Sequence, residues 1–197
     1  MKLPESDILK CEHIGDSPKD MDDMDTFEVH HRETGKGLEL YFKQYALQDE
    51  YNDLMRTYIV RHKVTDECVG YFSLKAGLIA INEKKESGNI TFDTLPGVEL
   101  ANFAINKTFA EKYNSHGLGK VLFLDLIAPF VTQLSEYLGI YMLYLFALPY
   151  KKLMSTYESY GFKRLPSLAE QELHKRIKPA YDQSCIFMYQ TLRDLEN

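Results

Sequence analysis

The stretch Asn114-Ser115-His116-Gly117-Leu118-Gly119-Lys120 is where residue types and spacing could first do chemistry. Two glycines one residue apart, directly before an apolar helical run, leave backbone N–H groups uncovered and let a bulky anion approach closely. A helix start adds roughly half a positive charge and several donors without intrahelical partners. The combination suits a phosphate or pyrophosphate. A Walker A loop would need glycine at 114 and Ser or Thr at 121, where the chain has Asn114 and Val121. A dinucleotide-binding loop would put its third glycine at 122, where Leu122 stands. Neither of those loops is therefore expected. Cys11, Cys68 and Cys185 lack C-x-x-C spacing, and the only close histidines, His30 and His31, are adjacent and would diverge on a strand. No metal site is expected from such ligands.

The elements that must position this loop follow from apolar periodicity. Residues 98–105 read as a central strand, and the run from Val121 to about Leu138 as an apolar helix packed on the sheet. Pro129 should kink that helix, because it removes a backbone donor and crowds the preceding turn. Gly139 stops it, and the almost unbroken apolar run 140–148 predicts a strand covered on both faces. Strand, glycine turn, helix and strand make a right-handed parallel crossover. A short helix over 151–160 should end at Gly161, with 162–165 returning to the sheet and 185–192 forming a last strand. Residues 167–180 read as polar and partly helical. Upstream, 57–62 and 68–74 flank a polar turn and predict an antiparallel hairpin. Residues 27–31 alternate like a short strand, and 38–55 fit one or two amphipathic helices. Residues 83–97 read as a charged excursion containing Gly88, Pro96 and Gly97.

With 197 residues, 45% of them hydrophobic and 26% charged, the chain suits one soluble globular domain. Residues 1–25 are polar and acidic and read as a solvated or loosely docked arm, followed by the folded domain at 26–197. A net charge of -6 argues against a broad electrostatic footprint for nucleic acid, though it could favour cationic amines. The odd cysteine count and the absence of an apolar N-terminal segment point to the cytoplasm, with no membrane partner.

Three motifs in this order carry a resemblance: Glu99-Leu100-Ala101-Asn102-Phe103-Ala104-Ile105, then Asn114-x-x-Gly117-x-Gly119, then Tyr157-Glu158-Ser159-Tyr160-Gly161-Phe162. Together they resemble the GCN5-related N-acetyltransferases over roughly residues 57 to 192. Asn114 occupies the position where that family's acyl-CoA loop usually has Gln or Arg, and the hairpin ending in Val69-Gly70-Tyr71-Phe72 resembles its second and third strands. Position 150, where many relatives carry Asn, is Tyr150.

The resemblance implies an α/β fold (α+β by some schemes). Its central sheet would be mixed, mostly antiparallel and twisted, flanked by helices, with two splayed parallel strands, 98–105 and 140–148, forming an acyl-CoA cleft. Acetyl-CoA would be the acyl donor, with no metal. Its pantetheine would pair with the strand edge at Phe103, Ala104 and Ile105, where a splayed strand offers unpaired donors and acceptors. Its pyrophosphate would lie on the N–H groups of His116, Gly117, Leu118, Gly119, Lys120 and Val121, with Asn114 and Ser115 also among the residues that bind the cofactor. The implied catalytic residues are Glu99 and Tyr157. Glu99 would accept the amine's proton, a contribution of typically ~10²–10⁴-fold, and Tyr157 would protonate the departing thiolate. An ordinary ion pair is the alternative role for Glu99, and core packing that for Tyr157. A backbone N–H near Ala104 would polarise the thioester carbonyl. The implied activity is an acyl-CoA-dependent N-acyltransferase, moving acetyl to a small-molecule or protein amine. One alternative is a toxin-type relative acting on aminoacyl-tRNA, which shares the Tyr157 motif and the hairpin end Gly70-Tyr71-Phe72-Ser73-Leu74. Another is a non-catalytic acyl-CoA-binding or regulatory protein of the same fold.

Overall fold

The computed structural model describes residues 2–30, 32–86, 89–177 and 182–195. Its seven strands are β1 (Leu9–His13), β2 (Arg56–His62), β3 (Cys68–Glu86), β4 (Asn89–Ile105), β5 (Met142–Ala147), β6 (Lys163–Arg164) and β7 (Ile186–Thr191). They lie in the order β1-β2-β3-β4-β5-β7-β6. Pairing is antiparallel for β1 with β2, β2 with β3, β5 with β7 and β6 with β7, and parallel for β4 with β5. The mixed, mostly antiparallel sheet implied by the resemblance is thus the sheet found. The chain divides into two compact units, residues 1–75 with 100–130 and residues 76–99 with 131–197.

In the first unit, α1 (Asp20–Thr26), α2 (Arg32–Gln44) and α3 (Ala46–Tyr51) precede the β2–β3 hairpin. Phe27, Phe42 and Tyr71 form its aromatic centre: Phe42 stacks on Tyr71 at 4.2 Å, and Phe27 meets both edge-on. The Tyr71 hydroxyl donates to the Leu38 carbonyl at 2.6 Å, so the buried phenol keeps a partner. Phe27 and Val29 are buried with the exposed Glu28 between them, but they form no strand, since Phe27 caps α1 in an extended conformation. His31, the end of that predicted strand, lies outside the described residues.

The acidic opening segment holds structure that its composition does not announce. β1 pairs with β2 from Leu9↔His62 to His13↔Tyr58. Arg61, only 1% exposed, pairs with Asp20, Asp23 and Glu12. Asp20 also accepts the Gly15 and Ser17 amides at 2.8 and 3.2 Å. A buried guanidinium needs such partners, because an unpaired charge removed from water is costly.

Two further differences concern the chain around the loop. The predicted charged excursion at 83–97 is mostly strand: β3 runs to Glu86 and β4 begins at Asn89, with residues 87 and 88 outside the described set. The predicted kink at Pro129 takes the form of a π-helical turn, Phe123–Ile127, between α5 (Leu118–Leu122) and α6 (Ala128–Ser135). There the Ala128 N–H bonds to the Phe123 carbonyl, five residues back, just ahead of the proline that cannot donate. The 18-residue helix Leu118–Ser135 is apolar enough to cross a membrane by length and composition, yet Leu122, Phe123, Leu126, Ile127 and Phe130 are buried inside the protein.

In the second unit, α7 (Lys151–Ser159), α8 (Ser167–His174) and α9 (Leu192–Leu195) accompany β5, β6 and β7. All six β5 residues are buried, as the continuous apolar run requires. Alternate β5 side chains, Met142, Tyr144 and Phe146, join Ile79, Leu173, Cys185 and Phe187 in one core cluster.

Candidate active site

β4 is the element that positions the site. Its parallel ladder with β5 comprises Gly97↔Met142, Val98↔Leu143 and Glu99↔Tyr144. The strand then continues through Phe103, Ala104 and Ile105. Its end is fastened to β3. The Asn106 amide donates to the Val69 carbonyl at 2.9 Å, and the Asn106 side chain donates to the Cys68 carbonyl at 3.1 Å. Asn106 also caps α4 (Lys107–Lys112) by accepting the Thr108 amide at 3.1 Å. At Gly70 the two strands come so close that a Cβ would stand 2.5 Å from the Ala104 carbonyl oxygen. Glycine at 70 is what permits that approach.

After α4 the chain turns through Asn114, whose φ of 46° is left-handed, a conformation Asn tolerates better than most residues. Gly117 is also left-handed, at φ 75°. A Cβ there would meet nothing within 4 Å, so the backbone angle and not space calls for glycine. The amides of Lys120 and Val121 already donate to the Gly117 carbonyl, at 2.9 and 3.2 Å, and Ser115 donates to Ala110 at 2.9 Å. Among the described residues, the amides of His116, Gly117, Leu118 and Gly119 have no protein acceptor. Four consecutive free donors thus lie across the start of the 18-residue helix Leu118–Ser135, two just before it and two in its first turn, a geometry suited to a polyanion. Of the eight loop residues named from the sequence, these four keep their amides available, while Lys120 and Val121 spend theirs in starting the helix.

Glu99 is half-buried on β4, and the Tyr144 hydroxyl lies 3.4 Å from its Oε2. Tyr144 was not singled out by the sequence, where it is one residue in a buried run. The signal that could have found it is the pair Gly77 and Gly97, which make room for its ring. Burial, and after it the Glu99 charge, hold the Tyr144 phenol well above the usual tyrosine range. Tyr157 lies on α7, half-buried, with its ring edge-on to Tyr160 at 6.1 Å and to Phe162 at 5.8 Å. Its carbonyl accepts the amides of Tyr160 and Phe162 at 3.0 and 3.1 Å, which closes the helix at Gly161. No described residue hydrogen-bonds its hydroxyl. Burial, then Tyr160, pushes this phenol above its ordinary value, so it stays protonated and able to donate at neutral pH.

Tyr41 packs against the first-unit core, and its hydroxyl reaches the Met55 sulfur at 3.4 Å. Tyr45 is 52% exposed. His116 is exposed. Among the described residues, no three His, Cys, Asp or Glu side chains are grouped to hold a metal ion.

The fold is that of the GCN5-related N-acetyltransferases, and it is shared with solved structures of the AtaT toxin. The resemblance read from the motifs therefore holds at the level of the fold. A Tyr-to-Phe mutant of the AtaT toxin is similar over 100% of this chain and 96% of its own, with a TM-score of 0.68 and 20% identity. AtaTR bound with acetyl-CoA covers 97% of this chain and 98% of its own, with a TM-score of 0.63 and 22% identity. AtaT complexed with acetyl-methionyl-tRNAfMet covers 95% and 97%, with a TM-score of 0.65 and 20% identity. No family model matches the sequence, and no curated protein is similar to it in sequence.

Proposed function

We propose that the chain is an acyl-CoA-dependent N-acetyltransferase that passes acetyl from acetyl-CoA to an amine by direct attack. The row of free amides from His116 to Gly119, following the β4 strand end, carries this reading, because a CoA pyrophosphate needs such donors beside an extended backbone edge. Phe103, Ala104 and Ile105 offer the edge to pantetheine, and an N–H near Ala104 polarises the thioester carbonyl. The amine nitrogen attacks that carbonyl carbon, and the C–S bond breaks as the C–N bond forms. Glu99 takes the proton the nitrogen loses, directly or through water, and Tyr157 supplies one to the thiolate. The AtaT-type neighbours solved with acetyl-CoA support the choice of donor. Addition of acetyl-CoA is expected to raise the melting temperature, since a ligand selective for the native state stabilises it. No shift with acetyl-CoA or any longer acyl-CoA overturns the reading.

A second, finer reading concerns the acceptor. The acidic surplus behind the net charge is not spread evenly along the chain. Residues 1–75 hold 16 acidic and 10 basic residues, which accounts for all of the net charge, whereas 151–178 holds seven basic and three acidic ones. Lys151 and Lys152 open α7, the helix that carries Tyr157, and both are exposed. Together with the neighbour solved with acetyl-methionyl-tRNA, this favours the α-amine of an aminoacyl-tRNA as acceptor. Acetyl-CoA-dependent thiol release should then appear with aminoacyl-tRNA, fall steeply with salt, and be absent with the free amino acid. Equal rates with small amines remove the tRNA reading and leave the acetyltransferase.

A further inference from the structure

Tyr144 and two glycines stand in a relation that the roles above leave unused. Tyr144 lies beside Glu99 in the parallel ladder, and its side chain is 4% exposed. The ring crosses the sheet face. A Cβ on Gly97 of β4 would stand 3.1 Å from its Cδ1, and one on Gly77 of β3 would stand 1.9 Å from its hydroxyl oxygen. Any side chain at 77 would overlap the phenol, so the two glycines form a seat for it. Phe187 and Phe146 pack against the ring at 5.5 and 6.1 Å. A phenylalanine would fill this seat without a buried hydroxyl to satisfy. The hydroxyl that is present reaches Oε2 of Glu99.

We propose that Tyr144 is a positioning residue for Glu99, its seated hydroxyl holding the carboxylate in the orientation from which it accepts the amine's proton. The inference rests on the reading of Glu99 as the base. At 3.4 Å the contact is long for a hydroxyl on a carboxylate, as catalytic hydrogen bonds often are before substrate tightens them. The transferred proton moves from the amine nitrogen to Glu99, and the phenol proton stays on its own oxygen. Among the described residues, the other titratable or charged groups on the surrounding elements include Lys75 on β3, Asp93 on β4, Glu170 on α8, which accepts the Phe187 amide at 3.2 Å, Glu172 and His174 on the same helix, the His174 ring 6.4 Å from that of Phe146, Arg176 just past α8, Cys185 in the core cluster, and Tyr189 on β7, stacked on Phe187.

Steady-state kinetics of the full chain with Tyr144→Phe, Glu99→Gln and the double variant test this. Tyr144→Phe should lower kcat roughly tenfold, the scale of one hydrogen bond to a charged group, and leave the KM for acetyl-CoA unchanged. Losing a donor to the charged form makes the carboxylate easier to protonate, so the acid limb of the kcat profile should move up by about one pH unit. In the Glu99→Gln background the Tyr144 change should have no further effect. Site-specific 3-fluorotyrosine at 144 keeps the shape and donates more strongly, so it should move the limb to lower pH, whatever the Phe variant does to folding. Single losses that multiply in the double variant, or a limb that fluorination leaves in place, overturn the positioning role. A Glu99→Gln enzyme with unchanged kcat overturns the base reading itself, and this inference with it.

Discussion

Replacing Tyr157 by Phe removes one hydroxyl and little else. The ring contacts to Tyr160 and Phe162 and the backbone bonds that close α7 do not involve the oxygen, and no described partner would be orphaned. The variant should therefore keep its fold, with a stability change within about 0.5 kcal/mol, and its melting-temperature gain with acetyl-CoA. Turnover is a different matter. General acids contribute typically ~10²–10⁴-fold, but an alkyl thiol with a pKa of roughly 8.5 is a fair leaving group unaided. The Tyr157 phenol, held by burial above its ordinary value of 10.0, is a weaker acid than that thiol. It therefore stabilises the developing thiolate by a hydrogen bond more than by early proton transfer. This puts the expected loss in kcat/KM at the low end, about 10²-fold, or roughly 2.7 kcal/mol of transition-state stabilisation. Free-thiol release with a competent amine, run beside a thermal-shift titration with acetyl-CoA, measures both quantities. Unchanged turnover refutes the acid role. A joint fall in turnover, acetyl-CoA response and melting temperature would instead make Tyr157 a packing residue.

Arg61→Ala should destabilise the protein by about 3–5 kcal/mol, because it leaves Asp20 charged, buried and without its guanidinium; a urea midpoint consistent with less than about 1 kcal/mol contradicts this account of the N-terminal segment. Gly70→Ala would press a methyl to 2.5 Å from the Ala104 carbonyl oxygen and 3.3 Å from the Ile105 Cα. A cost of about 1–3 kcal/mol is expected, with weaker acetyl-CoA binding by isothermal titration, since the displaced backbone is the edge assigned to pantetheine. Tyr58 and Tyr71 have phenols raised by burial above the ordinary value of 10.0. The folded state thus favours their neutral form, a contribution fully present below about pH 10 and lost as pH rises through the folded values. Urea midpoints should be level from pH 7 to 9 on their account and fall above pH ~10. A flat profile to pH ~11.5 would mean the two tyrosines are not buried as described.

The β2–β3 hairpin, β5, α7 and the last strand were legible from short-range pattern alone, because alternation and apolar runs act over a few residues. The extension of β3 and β4 through 83–97 was not. Its charged residues carry no alternation, and pairing with a neighbouring strand, not propensity, makes them strand. Likewise the composition of residues 1–25 says acidic and solvated, whereas Asp20 is buried by Arg61, forty-one positions along the chain. No local rule predicts such a pair.

At the site, the sequence by itself determined the loop. Asn114 and Gly117 are residue types that tolerate positive φ, and both adopt it. It also determined the order of strand, loop and helix, and the placement of Tyr157 just before a helix end. Only the tertiary structure decided which amides the loop leaves free, because that depends on Lys120 and Val121 turning back to Gly117. Only it brought Tyr144 to Glu99 across Gly97 and Gly77. The physical reason is the same in both cases. A residue's type limits what its own backbone and side chain can do, but hydrogen-bond partners and close approaches belong to pairs of segments that meet only when the sheet is assembled.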